Sequence, residues 1–418
     1  MTQAIDLPLR ATPAAETKFV ASVCFVHFAS HYYITLLAPL FLFVRADYDV
    51  TYTQLGLAFT AFNVVSTALQ TPTGFLVDRV SARLLLIVGL MVGAAAFAIA
   101  ALVDSYWVFV AMFALAGLGN TVYHPADYAL LSRHVPAARA GRAFSLHTFA
   151  GMLGNAAAPP SLLFLYSMVG WRGAFLGAAV LGLIVALVMA VAGEPPELES
   201  SPVKSNARGG KAADGTQAGA TPMGWRLLLA PAILLNLAFF IMLAMSSGAL
   251  YNFLVPALGA LYGTPVTVGN AALTGLLLLS PIGVLVGGWL AGRTPHHGLV
   301  ATLCLIVTAA VTTLVGLFDF TTVALVVLMS IAGFFSGITM PSRDMIVRAV
   351  TPPGAYGRVF GFVSTGFNIG GIVSPLIFGQ LLDQGYPRAI FFCVAGCALI
   401  SIATVAINTS RKTADAAA

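Results

Sequence analysis

Residues 125–175 read PADYALLSRHVPAARAGRAFSLHTFAGMLGNAAAPPSLLFLYSMVGWRGAF, and residues 341–391 read PSRDMIVRAVTPPGAYGRVFGFVSTGFNIGGIVSPLIFGQLLDQGYPRAIF. At a constant offset of 216, with no gap, Pro125 falls on Pro341, Pro136 on Pro352, Gly141-Arg142 on Gly357-Arg358 and Phe144 on Phe360. Gly154 then falls on Gly370, Pro159 on Pro375, Arg172 on Arg388 and Phe175 on Phe391. An upstream fragment echoes at an offset of 214, where Gly74, Leu76 and Arg79 match Gly288, Leu290 and Arg293. Both copies are built of long apolar runs, so the chain reads as a duplicated membrane unit.

Composition supports that reading. Only 8% of the 418 residues are charged and 59% are apolar, against roughly 25% charged in a soluble protein. The 41 glycines and 22 prolines suit close helix contacts and kinks inside apolar spans. Runs long enough to cross a bilayer are expected at 18–44, 53–77, 83–103, 106–132, 142–169, 171–193, 226–256, 267–292, 298–317, 320–345, 357–381 and 387–408. The expected fold is therefore an all-α membrane protein of twelve transmembrane helices in two pseudo-symmetric six-helix bundles, 18–193 and 226–408. A polar segment, 1–17, precedes them and a short tail, 409–418, follows. Residues 194–225, rich in Gly, Ala and Ser, read as a flexible linker.

Charge sets the expected orientation. With both termini in the cytoplasm, seventeen of the twenty Lys/Arg residues lie on that side, and only Arg45, Arg172 and Arg388 fall outside, as the positive-inside rule requires. The net charge of +5 thus reports topology, and no basic patch with interleaved aromatics suggests nucleic acid. The residues at 1–17 lack the pattern of a cleavable signal peptide. Cys24, Cys304, Cys393 and Cys397 lie in apolar segments without metal-ligand spacing and read as small hydrophobes. No cofactor loop, catalytic triad or zinc cluster is visible, so neither an enzyme nor an ATP-driven pump is expected.

Gly74-Phe-Leu-Val-Asp78-Arg79-Val-Ser-Ala-Arg83 resembles the signature loop of the major facilitator superfamily, with Ser81 in place of its third glycine. Gly117-Leu-Gly119-Asn-Thr-Val-Tyr-His124-Pro125-Ala-Asp127, followed by Arg142-Ala-Phe-Ser-Leu-His147 and Gly151-Met-Leu-Gly154-Asn155, resembles the fosmidomycin-resistance-like group. In that group the acidic residue directly follows the proline, where Ala126 stands here, and a Gln stands where this chain has His147. The resemblance implies a secondary transporter of a bacterial cytoplasmic membrane, working by alternating access and coupled to protons, that exports a small organic compound. It also implies that Asp78, Arg79 and Arg83 form a cytoplasmic latch between the bundles. Arg142 and Arg358, at matched helix starts, are expected to be gate or anchor residues.

The residues themselves supply further candidates. His27 and His31 share a helix face, and buried imidazoles favour a water-filled cavity or proton coupling. His124 and Asp127 share one turn, with a kink expected at Pro125; His147 lies on the next helix. Asp127 maps onto Arg343 in the repeat, which suggests a charge pair closing the cytoplasmic mouth; Arg343 pairing locally with Asp344 is the alternative. Arg343 with the histidines would also suit an anionic substrate. Asn236, Tyr251 and Asn252, beside a break expected at Ser246-Ser247-Gly248, are candidate substrate contacts, as are Asn63, Gln70 and Asn368. Uptake of an organic anion and a non-transporting sensor remain as alternatives to export. The partners expected are protons, a small-molecule substrate and the lipid bilayer, and one chain holding both halves needs no second copy.

Overall fold

The computed structural model describes residues 13–77, 79–193, 225–352 and 356–417. The expected linker at 194–225 falls almost wholly outside these residues, as does Asp78. The described chain is all helical. Its first half holds α1 (Pro13–Thr35), α2 (Phe41–Tyr48), α3 (Tyr52–Val77), α4 (Ala82–Leu102), α5 (Tyr106–Asn120), α6 (Tyr123–His134) and α7 (Ala137–Val191). Its second half holds α8 (Pro231–Gly248), α9 (Leu254–Tyr262), α10 (Val266–Ala291), α11 (His297–Leu317), α12 (Thr322–Val350), α13 (Tyr356–Asp383) and α14 (Pro387–Ala417).

Local chemistry explains the breaks. Pro125 has no N–H to give the carbonyl of residue 121, and the helix expected over 106–132 divides there, between α5 and α6. Pro39 similarly sits in a 3-10 turn, Ala38–Leu40, between α1 and α2. A π turn over Ala249–Phe253 follows Gly248 and separates α8 from α9. Gly170, at φ 70° and ψ 178°, interrupts the 55-residue α7 at the expected boundary between two spans. Ser81, out of place in the loop signature, accepts a hydrogen bond from Leu84 N and caps α4. Ser105 and Thr321 cap α5 and α12 in the same way.

Among the described residues, ten helical stretches are long and apolar enough to cross a membrane, fewer than the twelve expected. One of the ten, Arg142–Val191, contains the Gly170 break. α3 is not among them. Its 26 residues carry Gln54, Asn63, Gln70 and several threonines, which lower its hydropathy.

The halves repeat one pattern of neighbours. α1 packs on α7 as α8 packs on α13 and α14, and α3 packs on α5 as α10 packs on α12. α4 lies against α5 and α7 as α11 lies against α12 and α14. Small residues permit the close crossings: a methyl added at Gly333 of α12 would stand 2.0 Å from the carbonyl oxygen of Leu276 in α10. Contacts between the halves obey the same pseudo-symmetry, α3 on α13 and α10 on α7.

The two ends of the molecule differ. Away from the end where the described chain starts and finishes, called here the terminal end, hydrogen bonds join the halves. Asp383 accepts from Tyr52 N and Thr53 N at 2.7 and 2.8 Å, and Asn270 donates to Pro39 O at 3.3 Å. Deeper in, Thr60 donates to Ile372 O and Asn63 to Gly371 O. Toward the terminal end, a cleft of about 430 Å³ lies between α7 (Phe144, Thr148, Met152) and α10 (Pro281, Leu285, Trp289).

Candidate functional site

Three helices of the first half bring a titratable cluster together inside the apolar bundle. Asp127 of α6 is completely buried, as nearly are His27 of α1 and His147 of α7. Asp127 Oδ2 lies 2.9 Å from His147 Nε2 and 3.3 Å from His27 Nδ1. The two imidazoles stack with centroids 3.7 Å apart and planes 21° from parallel, so both present a nitrogen to one carboxylate oxygen. His31 and His124, half-buried, border this core. Their ring centroids lie 4.6 and 5.2 Å from that of His27.

The backbone makes the room. A methyl at Gly151 would stand 2.5 Å from His27 Cδ2 and 2.9 Å from His31 Cδ2, so only glycine lets α7 pass the two rings. One turn further on, a methyl at Gly154 would stand 2.1 Å from Phe28 O. His31 is held by Asn155, whose Nδ2 lies 3.0 Å from His31 Nδ1 while its Oδ1 accepts from Thr35 Oγ1 at 2.8 Å. With the amide assigned in this sense, it donates to His31 Nδ1, which leaves the imidazole proton on Nε2. His27 Nδ1, His31 Nε2, Asp127 Oδ1 and His147 Nδ1 are buried without a hydrogen-bond partner among the described residues. Such orphaned groups are costly in an apolar interior.

The matching region of the second half carries the opposite charge. Arg343 donates through Nε and Nη2 to Asp344 Oδ1, both at 2.8 Å. Its guanidinium lies 4.8 Å from the ring centroid of Phe240 and 5.0 Å from that of Phe367. Asp127 and Arg343 are thus each paired within their own half.

The remaining candidates are spread out. Asn236 is buried and donates to Ala232 O of its own helix. Tyr251 lies in the π turn and Asn252 beside it, both half-buried. Arg79 is exposed after α3. Arg83 donates to Met189 O and Ala190 O, satisfying the carboxyl end of α7 within its own half. Arg142 is exposed and, with Glu16 and Arg139, lines a groove of about 460 Å³ between α1 and α7. Arg358 stands in the first turn of α13, with its side chain outside the description.

Sequence spacing exposed two pairs, His27 with His31 and His124 with Asp127. It did not reveal that His147 joins them, because the contact bridges separate helices. Nor did it identify Gly151 as the residue that admits the imidazoles. No sequence spacing suggested a metal site either, yet ligand atoms of His27, Asp127 and His147 lie within 4.8 Å of one another.

Comparison with known proteins fits this architecture. The family model of the Major Facilitator Superfamily matches residues 23–298 and 237–417. The chain is 27% identical over 398 residues to the probable sulfoacetate transporter SauU of Cupriavidus necator, covering 91% of this chain and 90% of that one. It is 22% identical to the D-galactonate transporter of Escherichia coli, over 91% of this chain and 93% of the other. It is also 22% identical to the fosmidomycin resistance protein of Escherichia coli, over 96% and 95%. Among solved structures, a bacterial homolog of the human lysosomal transporter Spinster, in an inward-facing and occupied conformation, aligns with a TM-score of 0.74. That match has 13% identity and covers 96% of this chain and 98% of the other. A duplicated helical fold with a buried polar core, matched from end to end by one family model, places this chain in the major facilitator superfamily.

Proposed function

We propose that the protein is a proton-coupled carrier of a small organic anion, with the anion and protons entering the cell together. The fold supports a bilayer crossed twelve times. Gly170 divides the longest apolar stretch into two spans, and α3, 26 residues long and walled by α5 and α13, adds the polar-sided one. The skew of basic residues toward the terminal end favours cytoplasmic termini. On that orientation the joined end faces outward and the cleft faces the cytoplasm.

The observation that carries the proposal is the burial of Asp127 among imidazoles. An ionised carboxylate without a fixed cation is expensive inside a membrane bundle. Protonation removes that cost, and the half-buried His124, on the same turn of α6, offers a route between the carboxylate and water. Arg343, stacked on two phenylalanines in the other half, supplies a fixed cation for a carboxylate or sulfonate, which would compete with Asp344 for the guanidinium. Anion entry against a negative interior costs about 2.3 kcal/mol per charge per 100 mV, and a co-transported proton offsets it. The organic-acid carriers among the relatives, SauU and the D-galactonate transporter, support this substrate class.

Export is the second reading, supported by the likeness to the fosmidomycin resistance protein. Proteoliposomes separate the two. With an acid exterior, a panel of small sulfonates and sugar acids should accumulate in vesicles of wild-type protein. Asp127→Asn should lose that accumulation while still exchanging labelled for unlabelled anion. Accumulation only against the opposite gradient would favour export, and undiminished accumulation in Asp127→Asn would remove the proton role.

A further inference from the structure

We propose that His27, Asp127 and His147 form a binding site for a transition-metal dication of the zinc class. The inference stands apart from proton coupling, since it concerns the lone pairs of the three side chains and needs no transport.

The geometry is that of a closed ligand triangle. Ligand atoms of His27, Asp127 and His147 lie within 4.8 Å of one another, and Asp127 Oδ2 stands 3.3 Å from His27 Nδ1 and 2.9 Å from His147 Nε2. Bonds of about 2.0–2.2 Å in a tetrahedral zinc site place the ligand atoms roughly 3.3–3.5 Å apart. Both contacts made by Asp127 fall near that figure, so a dication needs a shift of only a few tenths of an ångström on this side. The stacked rings, with centroids 3.7 Å apart, must splay by roughly 1.5 Å to turn both lone pairs onto one tetrahedral ion bonded at about 2.0–2.1 Å.

The hydrogen bonding favours the same conclusion. One carboxylate oxygen serves both rings, and His27 Nδ1 gains no hydrogen bond from it. In this geometry Asp127 Oδ2 makes a hydrogen bond with His147 alone, whereas a dication satisfies all three atoms together. Two neutral imidazoles and one carboxylate give a site of net charge −1, which a dication inverts to +1. The rings of His31 and His124, with centroids 4.6 and 5.2 Å from that of His27, are the neighbours from which a third imidazole or a held water would complete the sphere. Imidazole and carboxylate select zinc, cobalt, nickel or copper, while magnesium and calcium want oxygen donors.

The test uses the full chain without a histidine tag, purified in detergent at fixed pH and titrated with Zn²⁺, Co²⁺ and Mg²⁺. One Zn²⁺ or Co²⁺ per chain is expected, with the visible spectrum of low-coordinate cobalt and no response to Mg²⁺. His147→Ala and Asp127→Asn should weaken binding by at least about 100-fold, beyond the 10–100-fold typical of losing an outer partner. The double variant His296→Ala/His297→Ala, at the start of α11, should leave it unchanged. X-ray absorption at the zinc edge of wild-type protein needs no variant and should show nitrogen and oxygen neighbours including two imidazoles. Binding lost only in the His296/His297 variant, a sulfur neighbour, or no stoichiometric binding by the wild type would overturn the site. In each of those outcomes the vesicle experiment with Asp127→Asn still decides proton coupling separately.

Discussion

The crossing of α1 with α7 and the crossing of α8 with α13 are copies of one another with different chemistry. Gly154 approaches the backbone of Phe28 as Gly370 approaches that of Ile241, so His27 occupies the place that Phe240 holds in the second half. Asp127 corresponds to Arg343 and His147 to Val363. The first half therefore has an acid boxed in by imidazoles, and the second has a cation resting on phenyl rings. Duplication preserved the helix contacts, and divergence at three side chains left one copy with a carboxylate among imidazoles and the other with a guanidinium on phenyl rings. Such a division suits a carrier in which one half answers to protons and the other holds an anion.

The largest effect should come from closing the space around the imidazoles. Gly151→Val places branched carbons where His27 and His31 stand, and overpacking of this kind costs about 1–3 kcal/mol. Thermal unfolding in detergent should show the loss, and flux should fall to that of empty vesicles. Phe367→Leu, at the matching position, should be milder, lowering anion affinity through the lost ring beneath Arg343 but keeping measurable flux. Equal damage at both positions would break the proposed division of labour.

A second contrast concerns the fixed charge. Arg343→Gln should raise the KM for the anion strongly with little change in the pH dependence of flux. Arg343→Lys should recover only part of the affinity, because lysine lacks the planar face that lies on Phe240 and Phe367. A shifted pH profile in either variant would move the titrating role into the second half.

Backbone tolerance sharpens the comparison further. A methyl at Gly154 meets a carbonyl oxygen at 2.1 Å, while at Gly370 it first meets the methyl of Ala244, with Ile241 O at 2.9 Å. Gly154→Ala should therefore lower the unfolding temperature more than Gly370→Ala. The reverse order would mean that the second crossing is the tighter one.

The smallest effect belongs to the joined end. Asp383→Ala removes two hydrogen bonds to the start of α3 across the halves. A helix cap is worth about 1 kcal/mol, so the balance of conformations should move roughly fivefold away from the joined state. Distances between spin labels on the two halves at that end would report it, and an unchanged distribution would leave Asp383 a purely local cap.

Much of the architecture could be read from the residues. The offset of 216 announced the paired crossings, and the prolines and glycines that stop helices are visible because their effect is local. Gly170 divides α7 where an interruption was expected, and Pro39 and Pro125 interrupt spans that look continuous by hydropathy. α3 shows the opposite failure, since its polar side lowers a signal that depends on average composition. Ser81, which stands where the loop signature has its third glycine, is explained by its hydroxyl capping α4. Arg83, expected in a latch that holds the bundles together in the outward-open state, donates in this conformation to the end of α7, a contact set by where α4 and α7 finish in space. The cluster was only half legible for the same reason. Residues three or four apart announce a shared face, but the meeting of His27 with Asp127 and His147 depends on helix crossings that no local spacing encodes.

The most direct test follows protons themselves. Vesicles holding the wild-type protein and a trapped pH dye, with no imposed gradient, should acidify inside when a transported anion is added outside. The acidification should vanish in Asp127→Asn although the labelled anion still exchanges. Anion entry without acidification in the wild type, or the same acidification in Asp127→Asn, would contradict the account.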